Sequence, residues 1–249
     1  MESEWEVSEA RLEGRLRTWA IPSALAVFFL LVATGPGHFL VRVFLSMWVH
    51  EVGHATAAWL CGFPAFPGPW LTPMATSRSG LFGFLVFAAL AAGAFLTWRA
   101  ERRRLSTALL VLLGLQLFCT LLLSVDGARQ VIVFMGDGGC LVIGAFLMLT
   151  VYAPEESALK QGWLRWGFLA IGAAAFADAF ALWWGARSDT DRIPFGMNEG
   201  VGLSDPSVLQ ETYRWSTDQI VGRYVLLGSI CLAVVVAAWA WGLWRRRSE

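Results

Sequence analysis

The chain has 249 residues, of which 57% are hydrophobic and only 15% charged, and its formal net charge is zero. That composition excludes an ordinary soluble globular domain, and the neutral balance gives no sign of nucleic-acid binding. Several apolar runs approach the ~20 residues that a bilayer core requires, so the sequence predicts an all-α, polytopic helical membrane protein.

Residues 1–19 are charged and include five Glu, unlike the basic start of a cleavable secretory signal, so the first apolar run is expected to stay as an anchor. Trp5, Leu12, Leu16 and Trp19 recur in this segment at helical spacing, which fits either an amphipathic helix on a membrane surface or a solvated segment. A single transmembrane domain over 20–244 follows, with about seven spans near 20–35, 39–60, 80–99, 105–125, 130–152, 163–185 and 223–244. Tryptophans stand where these runs begin or end (Trp19, Trp59, Trp98, Trp163, Trp166, Trp183, Trp184, Trp241, Trp244), as in an interfacial aromatic belt.

Two connections are longer than turns. Residues 61–79 hold Pro64, Pro67, Pro69 and Pro73, which bar a regular helix, interleaved with Phe63, Phe66, Trp70 and Leu71. The polar loop 186–222 contains Ser204-Asp205-Pro206, read as the cap and first turn of a short helix carrying Leu209, Tyr213 and Trp215. Each loop is either a lid over a substrate path or a plain connector. The basic tail 245–249 closes the chain. Cys61, Cys119, Cys140 and Cys231 form neither zinc-ribbon spacing nor a disulfide framework, so they are read as small buried side chains.

The informative interruption is His50-Glu51-Val52-Gly53-His54, inside the apolar run Phe39 to Leu60. Two imidazoles and a carboxylate are expensive to place within a bilayer and mark a functional site. Residues four apart on a helix share a face, so His50 and His54 can hold one metal while Glu51 serves as general base. The alternative is a pair of buried histidines satisfied by neighbouring carbonyls. His38, the third histidine, lies in the Gly35-Pro36-Gly37 turn and is read as an interfacial residue.

A catalytic zinc takes three protein ligands, so a third must lie at the depth of the first two. His54 and His50 stand roughly 9 and 15 Å before the end of their span at 1.5 Å per residue. The fifth predicted span runs antiparallel to the second and puts Asp137 roughly 11 Å below the same face. Asp178, in the sixth span, passes the same test. Asp137 is preferred because Gly136, Gly138 and Gly139 let helices approach closely, and Asp178 is then either the alternative ligand or a group orienting an imidazole. Asp126 reads as a turn residue, a Cys140 thiolate is the weaker alternative, and Arg42 is expected to snorkel to the surface rather than pair with an aspartate.

On these motifs the chain resembles the site-2 protease family of intramembrane zinc metalloproteases, over roughly 39–152. The family pairs His-Glu-x-x-His in one span with Asp-Gly in a later one; His50, Glu51 and His54 match the first, and Asp137-Gly138 the second. Met135-Gly136 stands where the family has a Pro-Leu context, two spans rather than one separate the motifs, and there is no inserted PDZ-like domain. The resemblance implies Zn2+ as cofactor and hydrolysis of a peptide bond in or near a transmembrane segment, with Glu51 activating water. It also implies a membrane-protein or peptide substrate and a multi-pass position in a bacterial cell membrane. The alternative function is a metal-binding membrane protein without turnover: a sensor, an assembly factor or a degenerate protease.

Overall fold

A computed structural model describes residues 4–153, 157, 159, 163–198 and 202–247; the side chains described begin at residue 14 and omit 15, 17 and 245–247. Helix α1 runs without interruption over Glu4–Val32, so the charged segment and the first predicted span are one helix with no boundary at residue 19. In the amphipathic reading of that segment, the side chains of Trp5 and Leu12 lie outside the described residues, while Trp19 is exposed.

The chain then bends by 119° between Thr18–Val32 and Gly35–Leu60. The bend has a local cause. Thr34 leaves the helical conformation, and its hydroxyl accepts from the Gly37 amide at 3.2 Å, capping helix α2 (Gly35–Val41) with Pro36 in its first turn. Gly37 is required there, since a Cβ would strike the Leu31 carbonyl. A π-helical turn, Arg42–Ser46, leads into helix α3, Met47–Leu60. Such turns inside helices are often found at functional sites.

Further along are α4 (Gly80–Arg99), α5 (Arg103–Leu121), α6 (Val125–Leu149), α7 (Leu164–Gly185) and α9 (Thr217–Arg247). The loop before α9 carries a two-stranded antiparallel hairpin, β1 (Met197–Asn198) with β2 (Gly202–Leu203), and the single turn α8, Asp205–Ser207. Among the described residues, five helices are long and apolar enough to cross a membrane, or six if the bent pair is one span. The seven runs read from the sequence correspond to these five helices and the two arms of the bent pair, whose break at Thr34 adjoins the turn read at Gly35-Pro36-Gly37. Because the two arms together make at most one span, there are five or six candidate crossings where seven were expected.

The chain forms two compact units. The first comprises Met1–His50, Asp137–Pro194 and Trp215–Glu249. Its centre is α7, whose stretch from Gly172 to Ala179 is buried throughout. There α7 meets the C-terminal half of α6 through small residues: a Cβ on Gly172 would lie 2.6 Å from the Gly144 carbonyl oxygen, and one on Gly144 would lie 2.8 Å from the Gly172 carbonyl oxygen. Close approach of this kind is how helices associate where burial in water offers no driving force. Gly172→Ala is therefore expected to cost about 1–3 kcal/mol by overpacking, read as a lower unfolding temperature in detergent. Gly167→Ala, whose Cβ would meet nothing, should leave that temperature unchanged.

The second unit comprises Glu51–Gly136 and Phe195–Arg214. Helices α4 and α5 lie side by side, tied by Gln116 Nε2 donating to the Gly83 carbonyl at 2.8 Å and Ser106 Oγ donating to that of Ala94 at 3.0 Å. Only 11% and 17% of their apolar windows are buried, against 56% for α6 and α7, so these two helices turn most of their apolar surface outward. Residues 61–79 fold back on themselves as an irregular hairpin, with Ala65 bridging Met74 and the Ala75 amide donating to the Pro64 carbonyl at 2.9 Å. Phe63, Cys61 and Cys119 pack with Ala57, Ala58, Ala128 and Ile132 in the core of this unit. The Arg78 guanidinium donates to the Cys119, Thr120 and Leu123 carbonyls, a cation at the C-terminus of α5 where the helix dipole favours one.

Candidate metal centre

Helix α3 carries His50, Glu51 and His54, and its regular geometry sets the two histidines one turn apart on one face. Each imidazole is held by an acceptor at Nδ1, and each acceptor belongs to the same unit as the ring it holds.

In the first unit, His50 Nδ1 lies 2.9 Å from Asp137 Oδ1. A carboxylate only accepts, so Nδ1 carries the proton and Nε2 is the nitrogen that would meet a metal. The Asp137 carboxylate has further partners. Arg42 Nη1 donates to the same oxygen at 3.2 Å, and the Trp183 indole N–H donates to Oδ2 at 2.9 Å. Arg42 Nη1 also reaches Asp178 Oδ2 at 3.0 Å, and His38 Nε2 lies 3.0 Å from Asp178 Oδ1. A continuous polar chain results: His38, Asp178, Arg42, Asp137, His50. It begins at a side chain that is 51% exposed and runs inward to carboxylates that are almost completely buried.

Several expectations are corrected here. Arg42 does not snorkel; buried carboxylates on α6 and α7 offer it two partners, and pairing removes the cost of leaving three charges unmatched. Trp183 is not part of an interfacial belt but is 1% exposed, stacked on Tyr224 with ring centroids 4.2 Å apart. His38 is more than a turn residue, since it holds Asp178. Asp178 contacts His38 and Arg42, whereas Asp137 is the aspartate brought to His50. Cys140 donates its thiol hydrogen to the Ser46 carbonyl at 3.6 Å. One donor atom each from His50, Asp137 and Cys140 lie within 4.8 Å of one another, a group able to hold a metal ion.

In the second unit, His54 Nδ1 lies 2.7 Å from the Ile132 carbonyl oxygen. A carbonyl also only accepts, so this ring too is oriented with Nε2 toward its other neighbour. That neighbour is Asp205, whose Oδ2 lies 3.1 Å from His54 Nε2. With the Nδ1 proton committed to Ile132, a neutral ring would set a lone pair against a carboxylate. The contact therefore requires a proton on Nε2 or a cation between the two atoms. Metal–ligand bonds of about 2.0–2.2 Å in a tetrahedron set donor atoms about 3.3–3.6 Å apart, so a cation between these two atoms would need the 3.1 Å contact to open by a few tenths of an ångström. An imidazole and a carboxylate are nonetheless donors that zinc accepts.

Glu51, also in this unit, is buried, and Thr72 of the proline-rich hairpin holds it: Thr72 Oγ1 stands 2.7 Å from Glu51 Oε2 and 2.9 Å from the Glu51 carbonyl oxygen. The turn that carries Asp205 is fixed as well. Ser207 Oγ accepts from the Gly196 amide at 2.8 Å and from Ser204 Oγ at 3.1 Å, while Leu209 is fully buried. Ser204 occupies the cap position expected of it, but its hydroxyl serves Ser207 instead of a backbone amide.

Thr72 and Asp205 were not legible as site residues. Both lie in irregular loops, where periodicity says nothing about which way a side chain faces. The one available signal was an acidic residue directly before proline in an otherwise ordinary connector. Cys61, Cys119 and Cys140 are buried as expected, whereas Cys231 is partly exposed; burial pushes the Cys61 thiol up to about 12, well away from thiolate chemistry. Comparison with protein-family models, with curated proteins and with solved structures finds no match to this chain.

Proposed function

We propose that the chain is a zinc-dependent intramembrane endopeptidase, a divergent protein of the site-2 protease type, acting on a membrane-protein or peptide substrate within the bilayer of a bacterial cell. The observation that carries this reading is the preparation of α3: a His-Glu-x-x-His turn in which both imidazoles are fixed through Nδ1 and the glutamate is fixed by a threonine. Orientation of metal-binding histidines by a carboxylate or a carbonyl on the far ring nitrogen is a recurrent feature of zinc sites.

His50 and His54 would hold the zinc with an aspartate as third ligand, Asp137 in the assignment drawn from the family resemblance. The bound metal supplies Lewis acidity, lowering the pKa of water and polarising the scissile carbonyl. Glu51 takes the proton from the attacking water and delivers it to the departing amine. Thr72 keeps the Glu51 carboxylate in one rotamer through its hydrogen bond to Oε2. The outward apolar faces of α4 and α5 are suited to lipid contact, as the assignment to a bilayer requires. A substrate helix must unwind to expose its carbonyl, since helical carbonyls are already hydrogen-bonded.

The test is metal removal. Protein purified in detergent is expected to cleave transmembrane test peptides, to lose cleavage on treatment with a zinc chelator, and to regain it on addition of Zn2+. Cleavage that persists in chelator at full protein stability would reject the reading.

A further inference from the structure

Resting on the zinc reading above, we infer that Asp205, and not Asp137, is the carboxylate ligand of the metal that His54 holds, and that Asp137 is a positioning residue for His50. Two independent observations lead there.

The first is what already surrounds Asp137. Oδ1 accepts from the Arg42 guanidinium at 3.2 Å and from His50 Nδ1 at 2.9 Å, and Oδ2 accepts from Trp183 at 2.9 Å. Its negative charge is matched by Arg42, and its contact with His50 is through the ring nitrogen that faces away from a metal bound at Nε2. A carboxylate so placed fixes the tautomer and raises the basicity of the imidazole, which is the task of an outer partner. Were Asp137 itself on the metal, Arg42 would stand as a second cation against the same oxygen.

The second is the approach of Asp205 to His54. Nδ1 of His54 is committed to the Ile132 carbonyl, and the Asp205 oxygen meets the opposite nitrogen at 3.1 Å. Asp205 is on the first residue of a turn pinned by Ser204, Ser207 and Leu209, so the oxygen is held in place by its own segment. The polar loop between α7 and α9 thereby contributes a ligand, and the metal site is complete only when that loop is docked.

The inference is tested with the full chain in detergent, using Zn2+ and Co2+ alone as probes. Affinity is read by chelator competition and coordination by the visible absorption of the Co2+ form. Asp205→Asn is expected to weaken Zn2+ binding by more than the 10–100-fold that loss of an outer partner commands, and to alter the Co2+ spectrum. Asp205→Glu should restore much of the affinity. Asp137→Asn should fall within 10–100-fold and keep the wild-type Co2+ spectrum.

If Asp205→Asn keeps wild-type affinity while Asp137→Asn loses the metal, the assignment is wrong and the zinc reading stands. If Asp205→Asn keeps its zinc and cleaves faster, the loop is a lid on the site, and the assignment again falls. A wild-type protein that binds neither probe overturns the assignment together with the reading beneath it. Unfolding temperatures near wild type for Asp205→Glu and Asp137→Asn guard against simple misfolding.

Discussion

Glu51→Gln is expected to purify with the same zinc content as wild type and to cleave a transmembrane test peptide about 10²–10⁴-fold more slowly. The amide keeps the shape of the carboxylate and still accepts from Thr72, so packing around α3 is preserved. What disappears is the basic oxygen that takes the proton from water. Glu51 is not expected to be a metal ligand, which is why stoichiometry and turnover should separate in this one variant. The outcome also distinguishes an enzyme from a metal-binding protein without turnover. A cellular role that survives Glu51→Gln and fails with His54→Ala would place the protein in the second class.

Arg42→Met is expected to be the most destabilising single change in the first unit, at about 3–5 kcal/mol. One guanidinium nitrogen serves Asp137 and Asp178 together, at 3.2 and 3.0 Å. Its removal leaves two carboxylates close to each other, both almost completely buried, with no cation of fixed charge between them. His38 and His50 still donate to them, so part of the network survives. The measurement is thermal unfolding in detergent, with the double variant Arg42→Met/Asp178→Asn alongside. Deleting one of the two stranded charges should recover a substantial part of the loss. Arg42→Met unfolding at the wild-type temperature would mean that the pairing contributes nothing.

The helices were readable because each is a long apolar run. Gly80–Arg99 begins and ends where the sequence pattern put it, and Leu164–Gly185 differs by one residue. What hydropathy cannot register is direction. The bend at Thr34 depends on one hydroxyl capping the next helix and on Gly37 admitting the Leu31 carbonyl, neither of which alters the apolar count.

The candidate site divides in the same way. His50, Glu51 and His54 were recognisable because their spacing on one helix is itself the geometry. Helical rise converts residue number into depth and so brought forward Asp137 and Asp178 alike; the glycines around Asp137 were what favoured it, and it is the aspartate that meets His50. The role of Arg42 was misjudged because a charge near the end of a run looks the same in sequence whether it snorkels or pairs. Trp183 was misjudged in turn because aromatic residues at span ends usually face the interface, while this one donates to Asp137. Thr72 and Asp205 lie in connectors, and which loop residue turns toward a helix is decided by tertiary packing alone.

The measurement that bears most directly on the account is the zinc content of wild-type protein, purified folded without added chelator, beside that of His54→Ala. One zinc per chain in wild type and close to none in the folded variant is the predicted result. Folded wild-type protein that carries no zinc, and takes none up when it is supplied, would contradict the account at its root.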